Sequence, residues 1–574
     1  MIKTDNNIFY MTLGEGCYIT RVDKDKLVHV WFGRRVEPED DLAALDGETK
    51  EPRPSEFFVD SGIAGETVAS SDFAPDVVID ADTGERLKVD FVFDAFYVED
   101  VKPECELPTL RGGKTLIVTL KDNALKLTAR IYYTPYSRGG LTKRVVVTNG
   151  GDRTIRLRVP SGALRLAGEY EAVSVEHPIN YMGLIGESDV YGFTLCYGGL
   201  AVMACDSGKG VTDFICEVDE NVTLKPKESF SAPELLYVYS DSGRGGAARV
   251  SHDIVREFAV PERFAPSRRP IALVCPFADE VKAKECAAVA PELGADAFVM
   301  PYAPGNEKAL SKASSLCKKA GIKFGVKLTP ETELDLSDDK TVNAVFDSLK
   351  TAVKKYNAEY ISLSEVCALG KSYAFTNGMY KLLDKLATAF SEVIPECNAD
   401  LGSLCYSPIA EISEKDIISE APLMLTLPPC VFAARVTDKK QLSLKTRFDI
   451  ASFGCLGYAL DPRALTEPMR RAIRAQVYSY QDDAQLVLNG DLYLLKNRGF
   501  VAVSKDKSKA YAVVVGGAGR VRFNGLDEHN IYLVRELDKT FSGAALEFYG
   551  LSVPDYSGAG ETVGFHFSQV ADYE

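Results

Sequence analysis

Short apolar runs broken by turn residues fill roughly the first 260 positions of the chain. Thr115-Leu116-Ile117-Val118-Thr119-Leu120, Leu125–Tyr133 and Arg144–Val147 are such runs, separated by Lys121-Asp122-Asn123 and Asn149-Gly150-Gly151. Runs of this length, bounded by Gly, Asn and Asp, predict strands joined by tight turns. Further strands are predicted at 192–197, 200–205, 213–218 and 235–239. Many short strands with few helical patterns define a large antiparallel sandwich. The proline- and charge-rich stretch Pro261–Pro270 reads as a linker.

From about residue 271, strand and helix patterns alternate. Ile271–Cys275, Ala297–Met300, Phe324–Leu328, Tyr360–Leu363, Leu423–Leu427 and Phe432–Val436 read as short buried strands. Glu280–Leu293, Glu307–Ala320, Lys340–Tyr356 and Thr466–Leu488 read as helices. Seven or eight such units over about 220 residues predict a (β/α)8 barrel at the small end for that fold, with a doubly wound open sheet as the competing arrangement. No Gly-x-Gly-x-x-Gly follows any of these strands, so nothing points to a dinucleotide. After Asn489-Gly490 strands return at Ala510–Val515, Val521–Phe523, Ile531–Val534 and Ala545–Leu551. The expected order is an N-terminal β-supersandwich over 1–265, a central (β/α)8 barrel over 266–490 and a C-terminal antiparallel β-sandwich over 491–574.

Composition narrows the chemistry. The 574 residues are 46% hydrophobic and 26% charged, which suits a protein with several ordinary cores. A net charge of −16 argues against nucleic acid or an anionic membrane as the partner. No window approaches the apolar length of a spanning helix, and Met1–Asn7 lacks the basic and apolar regions of a signal peptide. The thirteen cysteines are scattered without a Cys-x-x-Cys pair, which suits reduced thiols in a cytoplasm better than a disulfide framework or a zinc site. Five histidines lie far apart, and none falls between His252 and His529, so the barrel has no histidine for a metal or a triad. No cofactor and no metal is expected.

Several phrases carry a family likeness. They are Leu224-Lys225-Pro226-Lys227-Glu228-Ser229-Phe230-Ser231-Ala232-Pro233-Glu234 with Tyr239-Ser240, and Phe453-Gly454-Cys455-Leu456-Gly457-Tyr458-Ala459-Leu460-Asp461. Gln476-Val477-Tyr478-Ser479-Tyr480 and Gly490-Asp491-Leu492-Tyr493 follow, and the tail adds Gly525-Leu526-Asp527, Phe541-Ser542-Gly543 and Gly550-Leu551. In this order the chain resembles the α-galactosidases of glycoside hydrolase family 36. The resemblance implies a retaining glycosidase, in which one carboxylate attacks the anomeric carbon and a second, about 5–5.5 Å away, protonates the leaving oxygen. Both belong at the C-terminal ends of barrel strands.

At those ends the chain departs from the family. The second-strand Asp-Asp-Gly-Trp is replaced by Phe298-Val299-Met300-Pro301-Tyr302-Ala303. Phe324-Gly325-Val326-Lys327-Leu328-Thr329-Pro330-Glu331 keeps only the second half of the third-strand phrase, with Glu331 as its acid. The fourth-strand Lys-Trp-Asp falls on Ser362-Leu363-Ser364, which puts Ser364 at the nucleophile position. A serine without a general base cannot replace that carboxylate. Glu365 is adjacent, and only a bulge or a strand end would turn it to the same face. Glu396-Cys397-Asn398-Ala399-Asp400-Leu401-Gly402 retains the fifth-strand Cys and an acid, Asp400. Nearest to the family's acid/base stretch is Ile412-Ser413-Glu414-Lys415-Asp416, which offers Glu414, although 411–420 also reads as a solvated Glu- and Lys-rich helix.

The barrel contains no Trp, so Tyr302, Tyr360 and Tyr406 are the aromatic candidates for a sugar ring. Asp338-Asp339 reads as a helix cap, His252 as structural, and Cys397 and Cys455 as small buried fillers. Trp31 suits a core strand as well as a sugar platform. The expected function is therefore a carbohydrate-related pseudo-glycosidase, with Tyr302, Glu331 and Asp400 as sugar contacts. An active retaining α-glycosidase using Glu365 and Glu414 is the alternative, and a non-catalytic oligomerisation scaffold the third reading. The resemblance also implies a homo-oligomer through the first sandwich, although the family's interface Asp-Phe-Arg reads Asp72-Phe73-Ala74 here.

Overall fold

The computed structural model describes residues 1–5, 7–36, 77–264, 269–330, 334–367, 369, 372–411, 426–438, 442–495, 498–516, 519–553 and 561–570. Asp72-Phe73-Ala74, Glu331 and Glu414 lie outside the described residues. The chain divides into two compact units, one of Met1–Ala259, Lys371–Tyr380 and Asp400–Cys405, the other of Val260–Gly370, Lys381–Ala399 and Tyr406–Glu574.

The first unit is built of antiparallel sheets. Ile2–Asp5, Ile8–Leu13, Gly16–Asp23 and Lys26–Arg34 form a four-stranded meander, and a nine-stranded sheet contains Thr115–Asp122, Leu127–Tyr136, Gly140–Asn149 and Leu235–Ser240. Its core is aromatic. Tyr18 meets Tyr133 and Tyr237 at 5.9 and 6.1 Å between ring centres, and Phe193 stacks on Phe214 at 4.0 Å. Trp31 lies in the fourth strand of the meander and packs against the cluster of Tyr10, Cys17 and Ile19. The helix Gly243–Ile254, in which His252 is buried, has no counterpart in the sequence reading. Gly243, Gly245 and Gly246 in its first turn conceal the helical pattern, since glycine costs a helix about 1 kcal/mol per residue.

The second unit opens with a closed barrel of eight parallel strands: Ala272–Val274, Ala297–Tyr302, Lys323–Leu328, Ala358–Ser362, Ile394–Asn398, Ile409–Glu411, Phe432–Thr437 and Cys455–Ala459. Closure rests on Ala272 and Leu273 pairing with Gly457 and Tyr458, whereas the second and third strands share six residues of register. The open-sheet alternative is thereby removed. Helix Asp339–Tyr356 illustrates the local logic. Val342, Val345, Leu349, Ala352 and Tyr356 recur at helical spacing and are buried, Asp338 caps the start by accepting from Thr341 N, and Asn357 ends it in the left-handed region at φ 56°.

Two expected strands are corrected. The sixth strand is Ile409–Glu411 rather than Leu423–Leu427, of which Thr426 and Leu427 are described and lie buried in a turn. Pro428 and Pro429 follow at once, and proline cannot donate to a ladder. Ala545–Leu551 is not a strand either. Ala545–Tyr549 is a helical turn closed by Gly550 N donating to Ala545 O at 2.8 Å, and the strand is Leu551–Val553. The long helix Glu467–Asn489 leads into a six-stranded antiparallel sheet and a two-stranded one, around a core that includes Phe523, Tyr532, Phe565 and Phe567.

Candidate functional site: the interior of the barrel

Side chains alternate along each barrel strand, so the inward set can be followed from its core. Ala272, Ala297, Val299, Tyr360, Ile409 and Ala433 pack together in the lumen, with Val274 and Ile394 against them. Gly325 shares this face, because a Cβ there would meet Tyr360 Cβ at 2.8 Å and Val299 Cγ2 at 2.9 Å. Two residues further along their strands, towards the C-terminal ends, come Lys327, Ser362, Glu396 and Arg435.

Glu396 is the centre of this layer. It is fully buried, and both oxygens are occupied. Ser362 Oγ donates to Oε1 at 2.7 Å, while the Tyr360 hydroxyl and the Arg435 guanidinium donate to Oε2. Burial alone would raise the carboxyl's pKa, but the Arg435 charge and these hydrogen bonds outweigh it and hold Glu396 below the ordinary Glu value. Tyr360 moves the other way, pushed well up by burial and by the Glu396 charge. Tyr360 therefore offers no ring face to a sugar, which corrects its reading as a platform. Its body fills the lumen and its hydroxyl serves Glu396.

Of the expected catalytic residues, Ser364 and Glu365 are described, and both follow the end of the fourth strand. Ser364 begins the short helix Ser364–Cys367, is 6% exposed, and has its hydroxyl 3.1 Å from Ser362 Oγ. Glu365 is 43% exposed and pairs with Lys327 at 3.2 Å. Asp461, after the eighth strand, caps a short helix and pairs with Arg463 at 2.8 Å. Asp438, after the seventh, accepts from Asp461 N. Glu365, Glu396 and Asp461 thus each already hold a cation. Glu411, which sequence reasoning passed over, ends the sixth strand in register with Asn398 and Ala433.

The expected sugar contacts fall elsewhere. Tyr302 turns away from the lumen, its hydroxyl donating to Ser348 O at 3.0 Å. Asp400 belongs to the first unit, where it is buried and caps the helix Leu401–Leu404 by accepting from Ser403 N at 2.8 Å. It also accepts from the Tyr380 hydroxyl at 3.0 Å, and Tyr380 in turn accepts from Gly198 N at 2.8 Å. Burial pushes the Asp400 carboxyl up to about 6. Glu396, Arg435 and Lys327 were not singled out in the sequence. The one available signal was a lone Arg in the otherwise apolar Phe432-Ala433-Ala434-Arg435-Val436, since an arginine on a buried strand needs an acid partner.

In chain order the architecture is antiparallel sheets, a closed barrel of eight parallel strands, and antiparallel sheets again. The family models for the glycosyl hydrolase family 36 N-terminal domain and for melibiase match residues 25–175 and 326–490. Alpha-galactosidase 1 of Pediococcus pentosaceus is 23% identical, with 86% of this chain and 87% of that protein covered. Alpha-galactosidase Mel36A of Lactobacillus acidophilus is 22% identical, with 99% of each covered. Among solved structures, the galactosidase domain of the alpha-galactosidase-sucrose kinase AgaSK superposes with a TM-score of 0.86 at 18% identity, covering 99% of this chain and 100% of that one. A variant of the alpha-galactosidase AgaA of Geobacillus stearothermophilus, solved with raffinose, superposes at 0.83 and 19%, covering 98% and 100%. The chain belongs to glycoside hydrolase family 36 and is α-galactosidase-like.

Proposed function

We propose that this chain is a carbohydrate-related pseudo-glycosidase, which keeps the α-galactosidase scaffold and binds an α-galactoside-like sugar without turning it over. The observation supporting this is the state of Glu396. It is the carboxylate the lumen presents beside the fourth strand, and both its oxygens are consumed by Ser362, Tyr360 and Arg435. A nucleophile must direct a free lone pair at the anomeric carbon, and an acid must carry a proton at working pH. A fully buried, arginine-paired carboxylate does neither. Ser364, at the family's nucleophile position, has the Ser362 hydroxyl at 3.1 Å, and a second hydroxyl is no general base for it.

The test combines an aryl α-galactoside assay with calorimetric titration of raffinose, the sugar held by the AgaA relative. The expected result is no release of the aryl group above buffer, with saturable raffinose binding. Sustained turnover overturns the reading. Glu365→Gln and Glu414→Gln, each costing several orders of magnitude in kcat, would then assign nucleophile and acid to the active alternative. Absence of both turnover and binding removes the sugar and leaves the scaffold reading.

A further inference from the structure

We propose that Cys196 and Cys405 form a redox-responsive pair, which a peroxide converts to a disulfide and a dithiol restores. Both belong to the first unit, and both are free thiols. Their sulfurs stand 4.0 Å apart, although 209 positions separate the residues in the chain. Cys196 follows the strand Val190–Leu195, and its amide donates to Glu234 O at 2.8 Å, so the sheet holds it in place. Cys405 ends the four-residue helix Leu401–Leu404, which the chain enters shortly after the fifth barrel strand. Two glycines let the two backbones approach. A Cβ at Gly402 would lie 3.0 Å from Cys196 O, and one at Gly198 would lie 2.6 Å from Asp400 Cγ.

The two thiols differ in access. Cys196 is fully buried, and burial with Cys405 beside it pushes its thiol well up. Cys405 is only half-buried, its sulfur 3.5 Å from Leu401 O and 3.6 Å from Thr109 O. An accessible sulfur beside a second, resolving one is the arrangement of redox-sensing cysteines. Cys405 therefore reacts first. Its sulfur attacks one peroxide oxygen, the O–O bond breaks and water leaves, so the sulfur is oxidised to a sulfenic acid as the peroxide is reduced. The Cys196 sulfur then attacks that of Cys405. The S–S bond forms, the S–O bond breaks, and the Cys196 proton leaves with the hydroxyl as a second water. The sulfurs must close by about 2 Å, and the movement falls to Cys405 because the sheet holds Cys196. Cys286 also hydrogen-bonds Cys275, but both are buried and neither offers a peroxide the first sulfur. The new bond fastens Asp400–Cys405 to the sheet and closes a loop across those 209 positions, which restricts the unfolded chain.

The full-length protein, reduced and then freed of reductant, is treated with hydrogen peroxide. Its remaining thiols are capped with iodoacetamide, and its digest is mapped by mass spectrometry without reduction. The expected result is a linked peptide pair containing Cys196 and Cys405, lost on adding dithiothreitol. Oxidation is expected to raise the melting temperature by at least about 3 °C. Cys405→Ser, whose hydroxyl can still donate to Leu401 O, is expected to melt with the reduced wild type and to lose both the link and the shift. Cys196→Ala is expected to leave Cys405 as a sulfenic acid that dimedone traps. Absence of the link in peroxide-treated folded protein, a link that dithiothreitol does not reverse, or an oxidation shift that persists in Cys405→Ser each overturns the proposal.

Discussion

The hydroxyl of Ser362 donates to the carboxylate of Glu396 at 2.7 Å, and the two residues are also register partners on adjacent barrel strands. Ser362 falls where the fourth-strand phrase of the family has its Lys, two residues before the nucleophile position, and its hydroxyl is turned sideways to satisfy its neighbour. With Arg435 on the far side, the lumen holds a closed charge pair.

That pair sets the first expectation. Arg435→Leu leaves Glu396 buried without its cation, which costs about 3–5 kcal/mol in comparable sites. Replacing both, as Glu396→Leu with Arg435→Leu, removes the orphaned charge and recovers most of the loss. Chemical denaturation of the three proteins checks this, and a double variant no more stable than Arg435→Leu contradicts it.

Asp400 gives a pH signature. Its folded carboxyl is raised to about 6 from an ordinary 3.8, so the fold favours the protonated form. Stability tied to this group rises as pH falls through about 6 towards 4, and above 6 the ionised form costs on the order of 2–3 kcal/mol. Asp400→Asn keeps an acceptor for Ser403 N and Tyr380. The variant is expected to be more stable than wild type at pH 7.5 and level with it near pH 4.5. Thermal melts showing parallel pH slopes for the two proteins rule this out.

His566 runs in the opposite sense. Its Nε2 lies 3.0 Å from Asp483 and its Nδ1 2.6 Å from Glu536. Burial works against the charge, but the two carboxylates prevail and raise the imidazole to about 9 from 6.5. Its stabilisation is therefore complete below about 6.5 and is lost as pH rises through 9. His566→Ala is expected to lower stability by about 2–3 kcal/mol at pH 6 and by little at pH 10. An NMR titration of the ring with a midpoint near 6.5 would falsify the assignment.

The amphipathic helices were the most legible part of the sequence. Glu307–Ala320 is found where it was read, because Ala309, Leu310, Ala313 and Cys317 mark one face and Gly321 stops it at φ 72°. The sixth strand was not legible, because three residues give no periodicity and the more apolar run beyond it ends in two prolines. At the site, the serine at the nucleophile position could be read from the phrase around it. The partner of Glu396 could not, since Arg435 lies 39 positions away and only the stagger of the fifth and seventh strands brings them level. Asp400 misled for a related reason. Its place after a strand suggested a rim acid, whereas the Ser403 amide and the Tyr380 hydroxyl draw it into a buried cap.

The two-residue seam that closes the cylinder has a kinetic consequence. Native proteins open in units set by local bonding, and backbone protons report the free energy of each opening. The ladder joining Ala272 and Leu273 to Gly457 and Tyr458 holds two register pairs, as few as the one between the sixth and seventh strands, and Gly457 adds no side chain to brace it. Deuterium should enter the first and eighth strands well before the second and third, whose longer shared ladder protects them until the whole unit unfolds. The barrel is thus expected to breathe first at its two shortest ladders, one of which lies between the first strand and the last.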